Sequence, residues 1–97
     1  MFAVIFRARI NRLDQDYHDT ARKLRDLAIK QYGCLDFFSV FEDDREIAIS
    51  YWPNEEAIKQ WKNDPIHRQA QAEGRGKWYL SYKVEICEIV HDYDFMV

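Results

Sequence analysis

His67 comes two residues after Pro65 and six after Trp61, and it is the only histidine between Ser50 and Tyr79. An imidazole in ordinary surroundings exchanges protons near neutral pH, so acid–base work is assigned first to this residue; the structural alternative is a cap or surface hydrogen bond beside Pro65. Tyr51, Trp52, Trp61, Trp78 and Tyr82 are flat rings that either stack on a flat ligand or fill a core. Trp61 shares a helical stripe with Ala57 and Ile58, which suits a core equally well. Arg75, held between Gly74 and Gly76, and Arg7, beside Phe6 in a strand-like run, are cations available to an anion or simply solvated. No GxSxG, Walker, GxGxxG, HExxH or calcium-loop pattern occurs. The adjacent acids Glu55–Glu56, Asp43–Asp44 and Asp92–Asp94 are explained by cap and turn chemistry.

The elements that must position these residues follow from periodicity. Phe2, Val4, Phe6, Ala8 and Ile10 share one face of an extended run, with Ala3, Ile5, Arg7 and Arg9 on the other. From Asp14 the spacing changes to three and four residues through Tyr17, Ala21, Leu24, Ala28 and Tyr32, predicting an amphipathic helix that Gly33 terminates. Residues 34–42 and the run EIAISYW, separated by Asp43, Asp44 and Arg45, predict an antiparallel hairpin that Pro53 ends. Asn54 starts a second helix, Asp64 and Pro65 restart it, and Gly74 and Gly76 close it. Trp78 to Val90 reads as a last strand, with Trp78, Leu80, Tyr82, Val84 and Ile86 on one face, and residues 91–97 form a tail.

The chain has 97 residues, enough for a single domain (1–97, core about 2–90) and too few for separate nucleotide-binding and substrate domains. A formal net charge of -3 lacks the basic footprint of a nucleic-acid binder. The first apolar run is too short to span a membrane, and Cys34 and Cys87 have neither CxxC nor metal-like spacing, so a soluble protein of the reducing cytoplasm is expected. Three Trp, six Tyr and six Phe are a heavy aromatic load for so small a chain.

Strand, helix, strand, strand, helix, strand is the α+β, ferredoxin-like βαββαβ arrangement with an antiparallel sheet. Right-handed crossovers place both helices on one side. Yet Phe37 and Phe41 alternate with Phe38 and Val40, so both faces of the sheet are built for burial. A second copy of the chain is the simplest cover for the face without helices, predicting a homodimer through sheet faces.

The stretch SYWPNEEAIKQWKNDPIHRQAQAEGRGKWY, Ser50 to Tyr79, resembles the second half of the antibiotic biosynthesis monooxygenase domain family. The likeness rests on a Trp ending strand three, a helical Trp, a His shortly after a Pro, and a Gly and Arg pair before an aromatic last strand. It implies a dimeric α+β barrel and an oxidoreductase that needs no cofactor, using dioxygen on an aromatic phenol or quinol-type molecule. It also implies roles: His67 and Trp61 catalytic, with Trp52, Tyr51, Trp78, Tyr82, Arg75 and Arg7 binding substrate. Two alternatives stay open. A haem-degrading monooxygenase of the same fold would place a histidine where Gln71 stands, and a non-catalytic dimer would bind a small molecule without a base.

Overall fold

The computed structural model describes residues 1–97 and has the predicted element order: β1 (Phe2–Ile10), α1 (Gln15–Lys30), β2 (Asp36–Glu42), β3 (Arg45–Trp52), α2 (Glu55–Lys62), α3 (Pro65–Glu73), a π-helical turn (Gly74–Trp78) and β4 (Tyr79–Glu88). All pairings are antiparallel and the strand order is β2-β3-β1-β4, the α+β, ferredoxin-like sheet. The helix starts are set by side-chain caps: Asp14 accepts from the Tyr17 amide, Asn54 from Ala57 and Asp64 from Ile66, each satisfying a donor that the first turn leaves unpaired. Gly33 ends α1 with φ 79°, a left-handed conformation that glycine adopts without steric cost.

Register decides which face meets the helices. Val4 stands opposite Ser50 and Ile86, Phe6 opposite Ala48 and Val84, and Ala8 opposite Glu46 and Tyr82. This face packs under the helices: Val4 and Trp52 join Ala28 of α1 and Ile58 and Trp61 of α2 in the main core. A second cluster joins Tyr17, Ala70 and Trp78. The opposite face carries a row of Ile5, Ile49 and Phe38, flanked by Ile47 and Val40. Phe38, Val40 and Ile47 are exposed in the protomer.

The last strand differs from the sequence expectation in two ways. Trp78 belongs to the π-helical turn, where it is buried and donates its indole N–H to Asp14 Oδ1 at 3.2 Å. Gly74 permits this turn to press on the sheet: a Cβ there would meet the Tyr79 ring at 3.1 Å. In addition, Ile10 pairs with Tyr79 and Arg9 with Ser81, which makes Leu80 an extra residue in a β-bulge. The bulge resets the alternation, so Leu80 turns outward to 67% exposure while Tyr79 and Tyr82 both face the helical layer.

Candidate active site

Between the helical layer and the inner sheet face lies a cavity of about 160 Å³. Its floor carries two polar side chains of the central strand β3, Glu46 and Ser50, among apolar neighbours that include Val4, Phe6 and Ala48. It extends past Val84, one of the half-covered residues of edge strand β4 that the helices do not fully shield.

One end is built around Trp61 and His67. The Trp61 ring stands 5.1 Å from Trp52 and 5.9 Å from Phe37, and its indole N–H donates to the Leu24 carbonyl at 3.3 Å, which ties α2 to α1. His67, on the first turns of α3, meets Trp61 edge to face at 4.3 Å. Its Nδ1 is enclosed and has no hydrogen-bond partner in the protein. Burial, helped by the nearby Lys62 charge, pushes its pKa down to about 4, so the imidazole is neutral at pH 7. The near-neutral titration expected from sequence does not hold, because the ring is buried against Trp61 instead of lying in solvent beside Pro65. Arg25, whose guanidinium lies 5.5 Å from the Phe37 ring centre, and Lys62 complete this end.

The other end holds a group that the sequence reading passed over. Glu46 is only 5% exposed, and its Oε1 accepts from the Tyr79 hydroxyl at 2.9 Å. The Tyr17 phenol lies against the same carboxylate. Burial raises the Glu46 pKa, with Tyr17, Tyr79 and His18 pulling back, while burial and the Glu46 charge raise both phenols, which stay protonated donors. Tyr82 closes this end, its ring 5.5 Å from Phe6. Arg75 donates to the Tyr82 hydroxyl at 3.1 Å, leaving that hydroxyl's own proton free.

Of the eight residues singled out from sequence, the cavity gathers Trp61, His67, Trp78 and Tyr82. Trp52 is wholly buried behind Trp61, its indole donating to Ser50 Oγ at 2.8 Å, and does not line the cavity. Arg75 reaches it through Tyr82. Arg7 and Tyr51 lie on the opposite sheet face, as strand alternation requires, and Arg7 pairs there with Glu85 at 3.1 Å.

The antibiotic biosynthesis monooxygenase family, compared by sequence, matches residues 1–73. The chain belongs to that family. Among relatives, the uncharacterized protein YqjZ of Bacillus subtilis is 38% identical over 89 residues, spanning 91% of this chain and 78% of that protein. Among solved structures, SnoaB, a cofactor-independent oxygenase from Streptomyces nogalater, superposes with a TM-score of 0.77 at 11% identity, covering 94% of each chain. A protein of unknown function from Nitrosomonas europaea gives 0.71 at 14% identity over 99% of this chain and 95% of its own. At these identities the structural likeness speaks for the antibiotic biosynthesis monooxygenase fold alone. What distinguishes this member is the chemistry of its own cavity, with a neutral imidazole at one end and a buried carboxylate under two tyrosines at the other.

Proposed function

We propose that the chain is a monooxygenase that uses no cofactor and oxidises an aromatic phenol or quinol with dioxygen, working as a homodimer in the reducing cytoplasm. The observation that carries this reading is an aromatic-walled cavity with a neutral imidazole, His67, at one end and a buried carboxylate, Glu46, at the other. A hydroxyarene that has lost its proton is itself the electron donor, so the protein must supply a dry ring-shaped space, a base and donors for the anion. Electrons balance when one oxygen atom enters the ring system and the other leaves as water with two substrate hydrogens. A cavity of about 160 Å³ matches the scale that admits one benzene-sized ring. A single-ring quinol fits whole, and a larger phenol would place only its reactive ring inside, the rest leaving past Val84. Trp61 and His67 then bracket the ring, His67 as a neutral hydrogen-bonding group.

Gln71 offers an amide where a haem iron needs an imidazole or thiolate, so the haem-degrading alternative finds no axial ligand at the position where it calls for a histidine. The test is dioxygen consumption by chelator-treated protein with a single-ring quinol and with an anthrone-like phenol. Uptake well above the spontaneous rate, with water as the second product, is expected. Tight binding without uptake would instead make the chain a non-catalytic binder.

The dimer rests on β3. Its more apolar side, Ile47, Ile49 and Tyr51, faces away from the helices, while its more polar side faces the cavity. A protomer working alone would have the reverse. Ile49 sits between Ile5 and Phe38, so Ile49→Lys places a charge at the centre of the proposed interface and is expected to weaken association by roughly 100-fold or more. Sedimentation should give twice 11.8 kDa for the natural chain and 11.8 kDa for the variant. A natural chain that sediments as a monomer at micromolar concentration removes the dimer.

A further inference from the structure

Glu46 lies on a central strand, is almost wholly buried, and has no ion-pair partner among the salt bridges of the chain. A buried carboxylate is normally neutralised by a cation or a metal. Here its neighbours are phenols: Tyr17 from α1 and Tyr79 from β4, with the Tyr82 ring beside them and His18 in reach. Ala8 of β1 and Phe41 of β2 flank it without charge. Such an arrangement is costly for folding, and a carboxylate has room for about four hydrogen bonds. The Tyr79 bond at 2.9 Å leaves acceptor capacity on the cavity side.

We propose that Glu46 is the hydroxyl-binding and proton-accepting group of the cavity, and that the cavity takes neutral hydroxyarenes whose O–H donates to its carboxylate. This deepens the monooxygenase reading and rests on it for the proton-transfer half. In that half the ligand O–H bond breaks, a Glu46 O–H bond forms, and the electron pair stays on the ligand oxygen. The anion so formed is what dioxygen oxidises, and the proton leaves with the water produced. Tyr82, whose hydroxyl proton Arg75 leaves free, is a cavity-lining donor available to that developing charge, with Arg75 its positioning residue. His67 is poorly suited to the same step, because a base whose conjugate acid has a pKa of about 4 takes a phenol's proton only against a steep gradient. Burial acts on Glu46 in the other direction and makes it a stronger base than an ordinary carboxylate. The same charge repels ligands that carry a carboxylate at this end.

The test compares phenol with anisole, in which a methyl group replaces the acidic hydrogen, by NMR titration of the full chain at pH 7.5. Phenol is expected to bind roughly 10- to 100-fold more tightly, the worth of a hydrogen bond to a charged acceptor. Glu46→Gln should reduce that preference to about threefold or less, and should lower dioxygen uptake with a quinol by about 100-fold or more, the usual share of a general base. Equal affinities of the natural chain for phenol and anisole overturn the assignment, whatever the variant does. A further measurement needs no removal of Glu46: the phenol preference should fade as pH drops through the carboxyl titration. Tyr79→Phe should move that fading to higher pH, since Tyr79 favours the charged form. A preference that survives in folded Glu46→Gln also overturns the site. Preference without uptake in the natural chain removes the oxygenase reading and leaves Glu46 as a binding group. Quinol uptake that persists in Glu46→Gln removes the proton transfer and leaves the oxygenase reading standing.

Discussion

Trp52→Ala is expected to lower stability by about 3–5 kcal/mol, the range for deleting a large buried aromatic. Trp52 is fully enclosed, and it holds the core together from two directions. Its ring backs Trp61 at 5.1 Å, and its indole N–H is satisfied by Ser50 Oγ, which alanine would leave without that donor. Since a domain of this size has a total stability of about 5–15 kcal/mol, the loss takes a large fraction of it. At a slope of about 1 kcal/mol per molar urea, the unfolding midpoint should fall by roughly 3–5 M, measured at one protein concentration so that dimer formation does not intrude. Trp61→Phe should cost less, since a ring remains between Trp52, Phe37 and His67, and it should act mainly on ligand affinity. A Trp52→Ala midpoint within 0.5 M of the natural chain, a margin of about 0.5 kcal/mol at that slope, would show that Trp61 and not Trp52 anchors this end of the core.

That contrast between two tryptophans marks what the sequence makes legible. Alternation and helical spacing are local properties, so the order of strands and helices, the caps at Asp14, Asn54 and Asp64, and the two-faced sheet could all be read before any coordinates. Register and layer order are not local. Trp52 and Trp61 look alike in sequence, and only the sheet position of one and the helix position of the other make the first a backing and the second a wall. Glu46 was hidden by a reasonable habit: in the run EIAISYW the apolar parity, Ile47 and Ile49, is ordinarily taken as the inner one, which puts Glu46 in solvent. The inner parity is the polar one because it floors a cavity. The signal that could have found it was an acid and a serine spaced in step with Trp52 on a central strand. The bulge at Leu80 had no signal at all, since every residue from Trp78 to Tyr82 other than Ser81 is aromatic or apolar and fits either face.

The fold should be acid-labile through His67, and the sign follows from its lowered pKa. In the unfolded chain this imidazole takes a proton near pH 6.5; in the folded protein burial delays that to about pH 4. Between those values the unfolded state binds more protons, so stability is full above the unfolded pKa and is lost as pH falls toward the folded one. By pH 4.5 the loss amounts to at most about 2.5 kcal/mol. His67→Phe keeps an aromatic edge against Trp61 and removes the titration. The natural chain should therefore lose stability relative to the variant as pH drops from 7.5 to 4.5, as read from paired urea curves at each pH. Other groups shift too: Asp14 and Asp64 have lowered pKa values and weaken the fold in acid, whereas Glu46, raised by burial, works in the opposite direction. All three remain in both proteins, so they largely cancel in the difference. A difference that stays flat across this range would mean that the imidazole titrates as it does in water, and that the ring is not held in the dry pocket against Trp61.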